Sequence, residues 1–177
     1  ADHMMDEAER RYYAGQYGDA IKIYDQVLRL EPSWPRAQEH RKQAEDYLKE
    51  GHIPAIALPP EAATAYGKAQ SAARVGRYEA AASYLETAKG ILRQSGITRW
   101  ADGLDFENKL NAMIEAESVL KEGIHQFNQC QVDDAIATVD TAYQASGIPR
   151  HKDLADRYRQ FKNQFQKISG VLYSGTT

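Results

Sequence analysis

The chain is poor in cysteine and has no excess of positive charge, and both facts exclude classes of protein. Its 177 residues include one cysteine, Cys130, so no disulfide can form within the chain. A single thiol is typical of a reducing compartment and favours a cytoplasmic location. The formal net charge is -3, and Lys and Arg are scattered among Asp and Glu. We therefore expect no nucleic acid partner and no anionic membrane partner.

Long apolar runs are also missing. No stretch approaches the roughly 20 residues of a membrane-spanning helix, and the N-terminus lacks the apolar core of a signal peptide. The sequence thus predicts no membrane partner. Residues 1–4 end in His-Met, a pair that a common restriction site encodes. We interpret them as a cloning remnant and the chain as a segment of a larger protein.

Motifs of catalysis and cofactor binding are absent. There is no P-loop, no dinucleotide-binding glycine motif, no His-Glu-x-x-His, no Cys-x-x-Cys and no Gly-x-Ser-x-Gly. Glu122 and His125 have the spacing of one di-iron ligand pair, but such a site needs a second pair and two further glutamates. His125 and Cys130 lack an orienting Asn or Asp for a thiolate pair. The sequence predicts no enzyme, no cofactor and no metal site, with a helical metal-binding protein as a weaker alternative.

What the sequence does contain is a helical pattern that recurs. Its 42% hydrophobic residues show no β-branched alternation, so we expect an all-α fold. Residues 8–32 have the spacing of one helix-turn-helix hairpin, with a turn glycine at Gly15 and a helix stop at Pro32. The frame consists of Ala8, Gly15, Tyr17, Ala20, Ile21, Tyr24, Leu28, Leu30 and Pro32. It returns at Gly76, Tyr78, Ala81, Ala82, Leu85 and Ala88, and more weakly at Gly123, Phe127, Ala135, Ile136, Val139 and Ala142.

This frame resembles the tetratricopeptide (TPR) repeat. The resemblance implies stacked antiparallel hairpins whose apolar faces cover one another, and a surface used for binding. Ala20, Ala81 and Ala135 are equivalent positions 61 and 54 residues apart. Tandem TPRs repeat every roughly 34 residues, so we expect one extra helix in each interval. The predicted fold is an irregular TPR-like solenoid of about eight helices.

The predicted organisation follows the prolines and the helical stripes. We expect one extra helix at Pro35–Glu50, one long helix over 104–128 with a break at Gly123 as the alternative, and a capping helix over 152–172. The domain prediction is a first hairpin plus its following helix at 5–50, a Pro-containing linker at 51–60, two further hairpins with the long and capping helices at 61–172, and a tail at 173–177.

The resemblance also implies a function. The first helix of each TPR hairpin faces a concave groove, and aromatic and Arg side chains are frequent anchors of recognition. The candidate partner-binding residues are Tyr12, Tyr13, Tyr66, Gln70, Arg74, Phe127 and Asn128. For the aromatic members, packing between helices is the alternative. The family's two-carboxylate clamp is absent, because its positions hold Met5, Glu9, Tyr66, Gln70, Leu120 and Ile124.

We therefore predict a non-catalytic scaffold or adaptor module that binds a protein or peptide partner. Apolar and aromatic contacts, with hydrogen bonds from Gln70, Arg74 and Asn128, would hold a peptide or a partner helix. A regulatory sensor domain that closes around a small molecule or signal peptide is the alternative, and an enclosed pocket would favour it. Self-association through exposed repeat ends is compatible with both functions.

Overall fold

A computed structural model describes residues 1–174, with side chains as far as residue 170, and this part of the chain is all-α. Its eight α-helices are α1 (Asp2–Tyr13), α2 (Tyr17–Leu30), α3 (Pro35–Glu50), α4 (Pro60–Arg74), α5 (Tyr78–Gln94), α6 (Ala101–Asn128), α7 (Val132–Ser146) and α8 (Pro149–Ser174). A short 3-10 helix covers Ala55–Ala57. The predicted all-α class and the predicted number of about eight helices are confirmed. None of the described helices combines the length and apolar character needed to cross a bilayer.

Three hairpin turns have the same backbone geometry. They join α1 to α2, α4 to α5, and α6 to α7, and the central residue of each is left-handed: Gly15 (φ +74°), Gly76 (φ +79°) and Cys130 (φ +62°). In each turn the N–H of the next residue donates to the carbonyl five residues earlier, at 2.9 Å in all three cases. The turn position is thus conserved in space although one copy carries cysteine where the others carry glycine.

Small residues let the two helices of each hairpin cross closely. Ala8, Ala69 and Gly123 are buried on the first helices, and Ala20, Ala81 and Ala135 on the second. Gly123 lies so near α7 that a Cβ there would be 2.6 Å from Cγ2 of Val139. This contact explains why a glycine sits inside α6, which continues through it without a break.

The chain divides into two compact units, residues 1–110 and residues from Asn111 onward, and the division falls within α6. In the first unit, α2 packs against both α1 and α3. Ile53 and Leu58, from the segment predicted to be a linker, are buried in the same core as Tyr17. The Tyr17 hydroxyl donates to the carbonyl of Ala57. The predicted domain boundaries, including the linker at 51–60, stay predictions.

The second unit is built from the C-terminal part of α6 together with α7 and α8. Its core includes Leu120, Val139 and Tyr158. His151, at the start of α8, is fully buried, with Nδ1 2.9 Å from Oγ of Ser146 and Nε2 3.2 Å from Oε1 of Glu117. Burial lowers the pKa of His151, and the charge of Arg150 acts in the same direction. Of the predicted tail 173–177, residues 175–177 lie outside the described residues.

The two units contain two versions of one three-helix arrangement. Tyr12 and Phe127 both lie three residues before the left-handed turn residue. The Tyr12 ring stacks on His40 of α3, with centroids 4.4 Å apart and planes 3° apart. The Phe127 ring stacks on Tyr158 of α8, with centroids 3.9 Å apart and planes 2° apart. The ring before the turn thus stacks on a ring of the third helix in both units. That ring is the imidazole of His40 in the first unit and the phenol of Tyr158 in the second.

Candidate functional site

The predicted partner-binding residues lie on three helices. Tyr12 and Tyr13 are in α1, whereas Tyr66, Gln70 and Arg74 are in α4. The remaining two, Phe127 and Asn128, end α6 in the second unit. All seven are on the first helices of the three hairpins, as the frame requires. Each place is described in turn.

At the first place, in α1, Glu9 is at the centre of a polar and aromatic network that joins α1, α2 and α3. Oε1 of Glu9 accepts from the Tyr24 hydroxyl at 2.5 Å and lies 2.6 Å from Nδ1 of His40. Oε2 of Glu9 is 3.0 Å from the guanidinium of Arg36. Arg36 also donates to the Tyr13 hydroxyl at 3.2 Å. We call Glu9, Tyr12, Tyr13, Tyr24, Arg36 and His40 the Glu9 network.

Three members of the Glu9 network, Tyr12, Tyr24 and Arg36, have raised pKa values. Burial raises the pKa of Tyr12 to about 12, and its phenol donates to Oε1 of Gln43. Burial and the hydrogen bond to Glu9 raise the pKa of Tyr24. The hydrogen bond to Tyr13 and the charge of Glu9 raise the pKa of Arg36. Tyr12 is therefore a core residue at 9% exposure, while Tyr13 is 63% exposed and free to contact a partner.

Tyr66 also packs inside the first unit. Its ring meets Trp100 edge to face, with centroids 4.8 Å apart, and Phe106 at 5.5 Å. Burial raises the pKa of Tyr66, and the charge of Asp102 adds to the effect. Its side chain is half-buried. Tyr66 thus serves to position Trp100 more than to present a contact surface.

At the second place, α4 and α5 enclose an open surface groove of about 760 Å³. Gln70 and Arg74 line it, as predicted residues. The other lining residues are Thr64, Gly67, Lys68, Ser71, Ala72, Val75, Arg77, Ala80 and Tyr84. Gly67, Ala72 and Ala80 have small side chains, which leaves room between the two helices. We call this cavity the α4–α5 groove.

The α4–α5 groove is electrically positive. Lys68, Arg74 and Arg77 line it, and no acidic side chain does. Among the described residues, none of these three cations forms an ion pair. Arg74 contacts only groups of its own helix, including Oγ of Ser71 at 3.4 Å. The ammonium of Lys68 lies 6.0 Å from the centroid of the Tyr84 ring.

Sequence reasoning missed Lys68, Arg77 and Tyr84. Three polar positions of α4 follow one another at helical spacing, on a face that the buried alanines do not occupy: Thr64, Lys68 and Ser71. This polar stripe is visible in the sequence, but it is equally typical of an ordinary solvent-exposed helix face. Only the apposition of Tyr84 from α5, itself 41% exposed, shows that the stripe borders a groove.

At the third place, Phe127 is part of an aromatic row. Besides stacking on Tyr158, it meets Phe161 at 5.2 Å, and Phe161 meets Phe165 at 6.3 Å. Phe161 and Phe165 are 46% and 61% exposed. Asn128 is exposed at the end of α6. This row continues the apolar core of the second unit onto its surface.

The chemical candidates are not assembled into a site in the described part of the chain. Glu122, His125 and Cys130 are all exposed. Residues 1–174 contain no group of three or more His, Cys, Asp or Glu side chains placed to hold a metal ion. In this part of the chain, the α4–α5 groove is therefore the stronger functional candidate.

Comparison with known proteins yields no relative: no family model matches the chain, and neither a curated protein nor a solved structure is significantly similar to it.

Proposed function

We propose that this chain is a TPR-like helical-repeat module whose role is non-catalytic protein binding. The three hairpins with equivalent turns and equivalent small crossing residues support the repeat interpretation. Such hairpins bury their apolar faces against neighbours and leave helix-lined grooves for partners. The observation that carries the proposal is the α4–α5 groove, with its three cations and no acidic lining residue.

The proposed ligand of the α4–α5 groove is an acidic amphipathic peptide or helix. Lys68, Arg74 and Arg77 would pair with carboxylates, and Tyr84 and Val75 would contact apolar side chains. Val75 is 71% exposed and Tyr84 is 41% exposed, so both are accessible. The amide of Gln70 adds a donor and an acceptor for a peptide backbone. These are the interaction types that the sequence predicted, with the addition of charge.

A peptide is favoured over a nucleic acid because the positive surface is small. A basic stripe with many phosphate contacts is the usual feature of nucleic-acid-binding domains, whereas the groove has three cations in a chain of net charge -3. At a distance the chain as a whole repels polyanions, and the groove attracts only a short acidic segment.

The test is a fluorescence-anisotropy titration with a labelled amphipathic helix whose polar positions are all glutamate. A second probe has the same apolar positions and glutamine in place of glutamate. We expect the acidic probe to bind more tightly than the glutamine probe. Added salt should weaken binding of the acidic probe, because salt screens the attraction between exposed charges, with a Debye length of about 8 Å at physiological ionic strength. A labelled single-stranded oligonucleotide serves as the third probe.

The decisive variant is Lys68→Glu/Arg74→Glu/Arg77→Glu. Because each exposed ion pair contributes about 0.2–1 kcal/mol, reversal of three charges should weaken the acidic probe at least about threefold. The matched control is Lys121→Glu/Lys152→Glu/Lys167→Glu, which makes the same charge change at exposed positions outside the groove. Equal weakening by both triple variants, or binding of the oligonucleotide alone, would contradict the proposal.

A further inference from the structure

The apolar stripe of α8 runs from the core of the second unit onto its surface. Its members, spaced four, three, four and three residues apart, are Leu154, Tyr158, Phe161, Phe165 and Ile168. Tyr158 is buried, and Leu154 is partly buried against the same core. Phe161, Phe165 and Ile168 are 46%, 61% and 61% exposed. We call these three residues the α8 face.

The spacing of the stripe is that of a coiled coil. Apolar residues that alternate at three and four positions repeat every seven residues, which is the pattern by which one helix packs along another. The buried part of the stripe packs against α6, where Tyr158 stacks on Phe127. The exposed part continues the same pattern along the same helix, with no proline between. The α8 face therefore has the side-chain arrangement that a second helix laid along α8 requires.

The α8 face also lies where α8 extends past its neighbour. A two-residue connection joins α7, which has 15 residues, to α8, which has 26. Nζ of Lys162 is 2.6 Å from Oδ1 of Asp133, the second residue of α7, so α7 begins near this level of α8. From Lys162, α8 continues to Ser174. Phe165 and Ile168 thus lie on the projecting part of the helix.

The first unit treats the same end of its three-helix arrangement differently. Its third helix, α3, ends at Glu50, and Gly51 turns the chain with a φ of +75°. The chain then folds back and buries Ile53 and Leu58 in the core of that unit. In the second unit the third helix continues straight on and keeps its apolar stripe exposed. The sequence has therefore retained large apolar residues at surface positions of α8.

The charge of this part of α8 has one sign. From residue 157 to the end of the sequence there are four basic residues and no Asp or Glu. Two of them, Arg157 and Lys162, flank the stripe in the heptad frame, and Arg159 and Lys167 lie further round the helix. Lys162 pairs with Asp133, whereas Arg157 forms no ion pair among the described residues. Flanking positions of a coiled coil select a partner of opposite charge.

We propose that the α8 face docks an amphipathic helix of a partner protein, with apolar residues at heptad spacing and acidic residues beside them. The apolar residues would cover Phe161, Phe165 and Ile168, and a glutamate would pair with Arg157. A second copy of this chain fits less well, because parallel pairing of two α8 helices places Arg157 of one opposite Lys162 of the other. The α8 face shares no residue with the α4–α5 groove, so either proposal can fail without the other.

The test is a fluorescence-anisotropy titration of the full chain with a labelled helix three heptads long. The first probe has leucine at the two apolar positions of each heptad, glutamate at the two flanking positions and glutamine elsewhere. The second probe has lysine at the flanking positions. The third has the composition of the first in an order that breaks the heptads. We expect the second probe to bind at least about twofold more weakly than the first, and the third at least about tenfold more weakly.

A double substitution locates the site. Phe165→Ser/Ile168→Ser should weaken the first probe at least about tenfold, because two large apolar contacts are lost and no charge changes. Both positions are exposed, so the helical circular dichroism should be that of the parent chain. Leu30→Ser/Ile56→Ser, the matched control, removes two exposed apolar side chains from the first unit and should have no effect. Phe165→Ser/Ile168→Ser should weaken the probe by the same factor in the triple-glutamate variant of the α4–α5 groove.

The outcomes that overturn the proposal are distinct. They are no binding of the first probe, equal binding of the lysine or scrambled probe, or no effect of Phe165→Ser/Ile168→Ser. Sedimentation velocity tests for a dimer of the chain, and flotation with phosphatidylserine vesicles tests for binding to an anionic membrane. A dimer or vesicle binding that Phe165→Ser/Ile168→Ser abolishes would assign the α8 face to that occupant and would also overturn the proposal.

Discussion

The left-handed turn at Cys130 predicts a substitution that stabilises the protein. Cys130 has φ +62° at the turn position where the other two hairpins have glycine. A non-glycine residue in this conformation destabilises the folded state by about 1–2 kcal/mol. Replacing it by glycine removes this strain, but the greater conformational entropy of glycine in the unfolded chain offsets about 0.5–1 kcal/mol of the benefit. Cys130→Gly should therefore raise the free energy of unfolding by about 0.5–1 kcal/mol.

Urea denaturation followed by helical circular dichroism measures this change, and amide exchange in α7 assigns it to the second unit. Cys130→Ala removes the thiol but keeps the strained φ, so its stability should match that of the parent chain within about 0.5 kcal/mol. The reverse change, Gly76→Ala, meets no atom within 4 Å of the new Cβ and should cost about 1 kcal/mol from the backbone alone.

Gly15→Ala separates packing from backbone strain at the same turn position. Its Cβ would lie 2.7 Å from Cδ of Pro59, so a steric cost of about 1–3 kcal/mol adds to the strain. We expect the order of stability to be Cys130→Gly, parent, Gly76→Ala and then Gly15→Ala. If Cys130→Ala stabilises as much as Cys130→Gly, the thiol and not the turn conformation is responsible, and the reasoning is refuted.

Three further changes have definite expected results. Gly103→Ala should displace the Trp100 ring and cost about 1–3 kcal/mol, visible as a red-shifted fluorescence; an unchanged spectrum would show that the ring does not need the glycine. Burial lowers the pKa of His151 in the folded state below its unfolded value of about 6.5, so the folded state binds fewer protons than the unfolded state. The contribution of His151 to the free energy of unfolding should be constant above about pH 6.5 and should fall as the pH is lowered below that value. This slope should be smaller in His151→Gln, and equal slopes would contradict the assignment. Tyr24→Phe should lower the free energy of unfolding by about 1 kcal/mol in the parent chain, but by almost nothing in a chain that already carries Glu9→Ala. If the effects of the two substitutions are additive in this double-mutant cycle, the hydrogen bond between the two side chains is ruled out.

The helical frame was accessible from sequence because its signals are local. The helix predicted at Pro35–Glu50 has those bounds, and the long helix predicted at 104–128 starts three residues earlier, at Ala101. The prolines, the turn glycines and the buried alanines act within one or two turns of their own positions. Cys130 lies five residues before Ala135, the same distance that separates Gly15 from Ala20 and Gly76 from Ala81, and all three turn residues have a left-handed φ.

The binding surfaces were less accessible because they depend on contacts between distant segments. Tyr12 and Tyr13 are adjacent in sequence, yet one is core and the other is exposed. The position of α3 decides this difference, because the Tyr12 ring stacks on His40 at 4.4 Å whereas the Tyr13 ring meets it edge to face at 6.0 Å. The α4–α5 groove depends on the apposition of Tyr84 from α5 to Lys68 of α4, and no local pattern encodes it. The all-α class and the hairpins are therefore confirmed, whereas the predicted partner-binding residues stay a prediction to be tested.

The paired three-helix arrangements also bear on how such modules can be re-engineered. The turn residues and small crossing residues that hold Tyr12 over His40 are equivalent to those that hold Phe127 over Tyr158. The residues that set the helix arrangement differ from those that form the surface. The side chains of the aromatic row could therefore be transplanted to the equivalent positions of the other unit. A chain with the aromatic pair of the second unit in both units, or with the Tyr12–His40 pair in both, would have different binding surfaces on the same backbone. These positions are therefore a starting point for changing binding specificity.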